Sequence, residues 1–302
     1  MIMEYLSKEE IYWDWKTEKI KVWVKDIMNR LKENKKEITS YYAVLKFDGD
    51  GMENFYREPQ LKEKEKMNEF HTYLSKEILD FAVKAKRLIQ PEEGFVVNAG
   101  GEDFLGFLSL NSMLPVLIKL RKEFGQIDVS RYLGQKNISF SAGVTVAHVY
   151  EPLYLVIGEL NRAEKYAKEI DQQKDAVALS VMSNSGSLVR TRMKFGENCA
   201  NLELFQMIVK LMQERKISAS FSYKLMERVQ MYQRLWKKGV PIHKDVMVTE
   251  IKRLLNISSE KEVMITEEEG DLFYKFYEKI KELDGFSDWL RIASFLQREA
   301  DL

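Results

Sequence analysis

Between residues 41 and 182, apolar and polar positions alternate in short runs that are separated by amphipathic segments. The predicted strands are YYAVLKF at 41–47, GFVVN at 94–98, FLGFLSL at 104–110, ISFSAGVTVAHV at 138–149 and DAVALSVM at 175–182. Apolar residues at helical spacing predict the intervening helices, at 62–88, 113–124 and 152–170. The β-α-β-β-α-β-α-β order is typical of an α+β, ferredoxin-like palm, in which an antiparallel sheet carries helices on one face.

Helical patterns occupy both ends of the chain. Residues 1–40 are predicted to form an N-terminal helical segment. The Ser/Gly-rich stretch SNSGSL at 183–188 interrupts the periodic segments and predicts a domain boundary. We therefore expect a palm domain at 41–185 and a C-terminal helical domain at 186–302, where apolar residues recur every three or four positions as in a small bundle.

Composition limits the classes of function. The 302 residues include 47 Lys+Arg and 47 Asp+Glu, and this balance argues against a surface coated with positive charge for nucleic acid. The single Cys199 excludes an intramolecular disulfide and a cysteine-rich zinc site, and His71, His148 and His243 lack ligand-like spacing. Since no apolar run has membrane-spanning length and the start lacks a secretory signal pattern, we expect a cytoplasmic protein without membrane contact.

Two acidic clusters lie next to predicted strands. Asp48 and Asp50 follow the first strand in FDGDGM, and Glu102 and Asp103 occupy the hairpin turn in GGED. A solvated β-turn is one interpretation of GGED, because Gly-Gly is a common hairpin connector. If the first strand neighbours the hairpin, the clusters converge, and several oxygen ligands in a small space favour Mg²⁺ or Mn²⁺. The neighbouring glycines would let phosphates approach the backbone: Gly49, Gly51, Gly100 and Gly101.

FDGDGM followed by GGEDF resembles the catalytic palm of the large polymerase-like subunit of type III CRISPR effector complexes. Diguanylate cyclases of the GGDEF type are more distantly similar. The resemblance continues through ISFSAGVTVAH and the helix ending in AEKYAKE, and it covers roughly residues 41–235. It implies a metal-dependent nucleotidyltransferase that makes a cyclic di- or oligoadenylate signal from ATP in CRISPR-type or related antiviral defence, with a two-metal Mg²⁺ or Mn²⁺ site.

The resemblance also implies a role for individual residues. The expected catalytic acids are Asp48, Glu102 and Asp103. The expected metal ligands are these three, Asp50 and the backbone carbonyl of Gly49. The expected nucleotide contacts are Gly51, Gly100, Gly101, Lys168 and, as a second choice to Lys168, Lys165. A solvated helix lysine is the other interpretation of Lys168.

Two departures from the family pattern leave an alternative function open. Glu102 stands where the CRISPR family normally has Asp, and Glu53 adds an acid beside the first turn. The alternative is a catalytically weak or inactive palm, serving as a structural or nucleotide-sensing subunit of a CRISPR ribonucleoprotein complex. A cyclase that uses GTP is a third possibility.

Joining two nucleotides requires a second palm that faces the first, since one palm has no second wall to hold the other nucleotide. We expect either a homodimer with its GGED turns opposed or a partner that contributes the second palm. Contacts between the helical region and other CRISPR complex subunits or RNA remain open. Arg190, Arg192 and Lys194 in RTRMKF are predicted to lie in a solvated linker, with phosphate or RNA contact as the alternative.

Overall fold

The computed structural model describes residues 39–55, 62–90, 93–133, 138–184, 186–214, 217, 220–237, 244–258, 266–280 and 283–300. The predicted N-terminal helical segment therefore lies outside the described residues, apart from its last two. The described residues from Ser40 to Ala300 form one compact unit. None of the described helices has the length and hydropathy that crossing a bilayer requires.

Six strands of the described chain form one sheet, in the order β2-β3-β1-β4-β5-β6. The strands are β1 (Tyr41–Gly49), β2 (Gly94–Ala99), β3 (Phe104–Leu108), β4 (Phe140–His148), β5 (Ala176–Met182) and β6 (Leu188–Lys194). The first five are the strands that the alternation predicts, and the α+β palm is confirmed.

Helices connect the strands and fill the C-terminal region. They are α1 (Met52–Phe55), α2 (Met67–Leu88), α3 (Leu110–Phe124), α4 (Leu153–Lys168), α5 (Ala200–Gln213), α6 (Ser220–Lys237), α7 (Lys244–Ser258), α8 (Glu267–Ile280) and α9 (Leu283–Glu299). The helical pattern predicted for the C-terminal region is confirmed by α5 to α9. Helix α3 begins where the Ser109 hydroxyl accepts a hydrogen bond from the Ser112 N–H, the usual role of an N-cap serine.

The sheet is mixed, which corrects the expectation of an antiparallel sheet. Strand β1 pairs antiparallel with β3 on one side and with β4 on the other. Strands β4 and β5, in contrast, are parallel neighbours. The reason is the connection: α4 carries the chain back along the sheet, so β5 starts at the same end as β4.

Helices cover both faces of the sheet, which corrects the expectation of helices on one face. Leu45 and Phe47 of β1 belong to the core that includes α2 and α3. Val44, which directly precedes Leu45 in β1, packs on the opposite face with Val156 and Leu160 of α4. Strand β4 is buried at every position except its last. A strand buried on both sides needs a covering layer on each side, and α4 provides the second layer.

Strand β6 lies beyond the boundary expected between residues 185 and 186. It pairs antiparallel with β5 along its whole length. Arg190, Arg192 and Lys194 alternate along β6 and so share one face, where each bonds to α4 or to the turn that follows it. The solvated-linker interpretation is wrong, because these side chains form hydrogen bonds between β6 and α4 or the turn that follows α4. The division into two domains stays a prediction.

The C-terminal helices and the sheet share one core. Trp289 of α9 is completely buried. Its indole N–H donates to the backbone carbonyl of Arg192 in β6 at 3.4 Å, and its ring lies 4.6 Å from that of Phe205 in α5. The helical region therefore packs directly against the edge of the sheet.

Candidate functional site

The end of β1 and the β2–β3 turn lie side by side. Phe47 of β1 is opposite Phe104 of β3, and the two strands are antiparallel. Asp48 follows Phe47 and Asp103 precedes Phe104, so both acids lie at the same end of the sheet. The Gly100 N–H donates to the Asp103 carbonyl at 3.1 Å and closes the turn. The structure therefore brings the two acidic turns together.

Glycines allow these turns to approach each other. A Cβ atom on Gly49 would lie 2.9 Å from Glu102 Cβ and 2.7 Å from Met52 Cγ, which is too close for a real contact. Gly51 and Gly101 have φ angles of 67° and 104°, in a region that side chains with a Cβ rarely adopt. These glycines are therefore required by the turns themselves, and their contacts with phosphate stay a prediction.

Asp103 carries a raised pKa because it is partly buried and faces two other acids. Partial burial, a hydrogen bond with the Asp48 side chain and the negative charges of Asp48 and Glu102 raise the pKa of Asp103 to about 6. The positive charge of Lys46 opposes this rise. The side chains of Asp48 and Asp103 thus lie within hydrogen-bonding reach of each other, with an excess of negative charge.

Asp103→Asn is expected to change how the metal-free protein responds to pH. The folded pKa of Asp103 lies above its ordinary value of 3.8, so the stability from this group is present at low pH and is lost as the pH rises through about 6. Urea unfolding in a chelator should show the variant about 1 kcal/mol more stable at pH 7, after solvent screening, with no difference near pH 4. Asp80→Asn on the exposed side of α2 is the control. An equal gain in the free energy of unfolding at all pH values would contradict the raised pKa of Asp103.

Lys168 joins the acids, and Lys165 does not. The Lys168 ammonium donates to Asp48 Oδ2 and lies 2.7 Å from Glu164 Oε1. Burial acts to lower the pKa of Lys168, but its hydrogen bonds to Asp48 and Glu164 outweigh burial and raise it. Lys165 is 78% exposed and lies 3.8 Å from Glu169 on its own helix. Of the two predicted lysines, the structure brings only Lys168 to Asp48, and it is not a solvated helix lysine.

The Asp50 side chain bonds to Ser139 and Asp175 and not to Asp48 or Asp103. It is 7% exposed, and its Oδ2 atom accepts hydrogen bonds from the Ser139 hydroxyl and the Asp175 N–H, both at 2.9 Å. Burial raises the pKa of Asp50 even though Ser139, Ser141 and Asp175 donate to it. The structure therefore does not bring this predicted metal ligand to Asp48.

Two charged residues of the site were missed in the sequence. Lys46 Nζ lies 2.8 Å from Glu164 Oε2 and donates to Asn161 Oδ1 at 2.9 Å. Lys46 is the one charged residue of YYAVLKF and precedes Asp48 by two positions, so strand alternation predicts that they share a face. Glu164 precedes Lys168 by four positions, a spacing that pairs charges on a helix. Both signals were present in the sequence.

The carboxylate oxygens of the site are the type of ligand that Mg²⁺ or Mn²⁺ takes, and the binding of either metal stays a prediction. Within the described part of the chain, no group of three or more His, Cys, Asp or Glu side chains is placed to hold a metal ion. Mg²⁺ is commonly held by one or two carboxylates, with substrate phosphates and water as the remaining ligands. The Asp48 and Asp103 carboxylates meet this requirement, and their mutual repulsion favours a cation between them.

Comparison with known proteins finds a family match for the palm residues. Residues 41–178 match the family described as Cas10/Cmr2, second palm domain. The CRISPR system Cmr subunit Cmr2 of Pyrococcus furiosus is 28% identical over 188 residues. These residues are 54% of this chain and 21% of the relative, so the chain matches about a fifth of the relative's length.

Solved structures share the fold over most of the chain. A type III-B Cmr-beta structure in the apo state has a TM-score of 0.60 at 13% identity, covering 90% of this chain and 40% of the other. A Cmr-beta structure bound to cognate target RNA has a TM-score of 0.59 at 15% identity, covering 90% and 41%. At these identities the likeness concerns the fold alone. The resemblance to the type III CRISPR palm is therefore confirmed for residues 41–178, which match the Cas10/Cmr2 second palm domain.

Proposed function

We propose that this chain is a nucleotidyltransferase that joins ATP into a cyclic di- or oligoadenylate signal, with Mg²⁺ or Mn²⁺, in CRISPR-type or related antiviral defence. One observation carries the proposal: Asp48 and Asp103 meet at the ends of adjacent strands, with the Lys168 ammonium on Asp48. Paired acids next to a cation are suited to bind a divalent metal and the phosphates of a nucleotide. The match to the Cas10/Cmr2 second palm domain supports the same reading.

Different residues of the site would contact the cation and the phosphates. Asp48 and Asp103 would hold the cation, with Glu102 and the Gly49 carbonyl beside them. When bound, the cation neutralises phosphate charge and makes the attacking ribose hydroxyl more acidic. Lys168 would move its ammonium from Asp48 to a phosphate oxygen, to which it offers a compact positive charge.

A second palm would complete the reaction. One ribose hydroxyl must lie in line with the α-phosphate of the other nucleotide, about 3–3.5 Å away. A homodimer with opposed turns, or a partner that supplies another palm, would place the second nucleotide there. The similarity to Cmr2 and to an RNA-bound Cmr-beta structure makes CRISPR complex subunits and RNA the proposed partners.

The alternative is a palm that binds nucleotide, or only assembles, without turnover. The observation in its favour is that Asp48 is already neutralised by Lys168, whose ammonium is also held by Glu164. A nucleotide must compete with these internal ion pairs. The two functions therefore differ in whether ATP can displace Lys168 and react.

The deciding experiment incubates the pure protein with ATP and Mg²⁺ or Mn²⁺ and separates the products by chromatography. It is run alone and with partner subunits and target RNA, and GTP is tested in parallel. We expect a cyclic adenylate product that disappears in the Glu102→Ala, Asp103→Ala pair, since the pair removes two acids of the site. ATP binding by calorimetry without any product would favour the alternative function. Unchanged activity in the double variant would contradict the proposed site.

A further inference from the structure

Two lysines share a single carboxylate beside the acidic turns. Lys46 Nζ lies 2.8 Å from Glu164 Oε2, and Lys168 Nζ lies 2.7 Å from Glu164 Oε1. Each oxygen of Glu164 therefore holds one ammonium group. Lys168 continues the chain of ion pairs to Asp48.

Lys46 lies on the same side of the sheet as Asp48 and close to the hairpin turn. The two residues alternate along β1, so their side chains leave the strand on one face. Lys46 pairs with Leu105 of β3, which follows Asp103 by two residues. The positive charge of Lys46 acts on Asp103, whereas the Lys168 ammonium bonds to Asp48, so each acid of the pair has a lysine beside it.

A glycine allows α4 to bring Glu164 down onto this face. Lys46 is opposite Gly143 of β4. A Cβ atom on Gly143 would lie 2.5 Å from the Glu164 backbone nitrogen and 2.9 Å from the Leu160 carbonyl oxygen. The helix therefore touches the strand beside Lys46, and any larger residue would hold Glu164 further away.

Another acid of α4, Glu159, already anchors this helix to the sheet through buried contacts. Glu159, 1% exposed, accepts two hydrogen bonds of 2.6 Å from the Arg190 guanidinium of β6 and one of 2.7 Å from Ser180 of β5. A second buried acid on the same helix is costly unless its charge is used. Glu164, 8% exposed, holds its two lysines at the acidic turns and not at the sheet edge.

We propose that Lys46 is a second triphosphate-binding lysine of this site, and that Glu164 is the positioning residue that holds it in register with Lys168. The inference rests on the proposed binding of ATP. The Lys46 and Lys168 side chains are 34% and 23% exposed, so both reach the surface of the protein beside the acidic turns. Two fixed ammonium groups contact more than one phosphate, and charge-assisted hydrogen bonds of this kind are the strong ones.

The test measures binding of a fluorescent ATP analogue with Mg²⁺, without requiring turnover. Lys46→Met should raise the Kd about tenfold, the effect of one charge-assisted contact. Glu164→Gln should raise the Kd by a similar factor, because the change breaks the ion pairs that position Lys46 and Lys168. In the double variant the two effects should be less than additive, since both changes disturb the same contact.

Competition separates a phosphate contact from a general disturbance of the fold. Inorganic tripolyphosphate should compete about tenfold less well in Lys46→Met, whereas adenosine should bind as it does to the parent protein. Lys119→Met is the matched control, because Lys119 pairs with Glu93 at 3.2 Å before β2, away from the hairpin turn. Glu159→Gln is the control for Glu164, and it should lower the melting temperature without changing the Kd.

The outcomes separate this inference from the proposed function. If the parent protein binds ATP, and Lys46→Met or Glu164→Gln binds ATP equally well or more tightly, the inference is overturned and the proposed function is unaffected. If both variants bind ATP more weakly and the parent protein forms no product from ATP, the inference is supported and the proposed enzymatic activity is contradicted. No binding of ATP to the parent protein would overturn both.

Discussion

Asp48→Ala protein is expected to lose about a thousandfold in product formation while keeping the thermal stability of the parent protein. The Asp48 side chain is 32% exposed, and its partner Lys168 keeps a second acid, Glu164. Loss of the carboxylate therefore leaves no buried charge without a partner. It does remove one of the two acids proposed to hold the cation. Initial rates by chromatography and melting curves on the same preparation provide the measurement.

Asp50→Ala is the matched control, because the two aspartates are separated by one glycine in the same turn. Loss of Asp50 leaves the Ser139 hydroxyl and the Asp175 N–H without their acceptor, at a cost of about 2–3 kcal/mol of unfolding free energy. The Asp50 variant should therefore lose stability rather than the ability to bind cation. If the stability loss appeared in Asp48→Ala and Asp50→Ala were fully stable, the assignment of the two aspartates would be reversed.

Gly143→Ala is expected to destabilise the palm by about 2–3 kcal/mol. The added Cβ would overlap backbone atoms of α4, at 2.5 Å from the Glu164 nitrogen, and a helix backbone cannot rotate away as a side chain can. The helix must shift away from β4 and carry Lys168 with it, so nucleotide affinity should fall as well. Urea unfolding and analogue titration measure the two effects.

Gly158→Ala is the control in the same helix. A Cβ atom at this position meets no atom within 4 Å, so the change should gain about 0.5–1 kcal/mol from helix propensity. Both glycine changes add the same methyl group, and their opposite signs would isolate the contact between α4 and β4. Equal stability of the two variants would show that this contact is not tight.

The strands that carry the acidic turns follow from local patterns, whereas the pairing of β1 with β3 that brings the turns together is seen only in the structure. Alternation in YYAVLKF and FLGFLSL, with Gly-Gly between the hairpin strands, is enough to predict strands whose ends carry the acids. The second helical layer was missed because the prediction rested on the order of the elements. Strand β4, within ISFSAGVTVAH, is buried at every position except its last, and small or apolar residues on both faces of such a strand indicate that helices cover both sides of the sheet.

The different roles of Asp48 and Asp50 were not predictable from the turn sequence. Both are acids in FDGDGM, and strand alternation places both on one face if β1 continues. The strand ends at Gly49 instead, and the Asp50 N–H bonds to the Ser139 carbonyl at 2.8 Å. That contact comes from a loop 89 residues away in sequence, which no local pattern reports.

The edge position of β6 matters for anyone who wishes to express the palm alone. A truncated fragment that stops at residue 185 would leave the Glu159 carboxylate inside the protein without the arginine that neutralises it. It would also expose the backbone edge of β5, which invites pairing between copies and precipitation. Since Trp289 of α9 packs against β6, we expect a stable fragment to include the helical region as well as the palm.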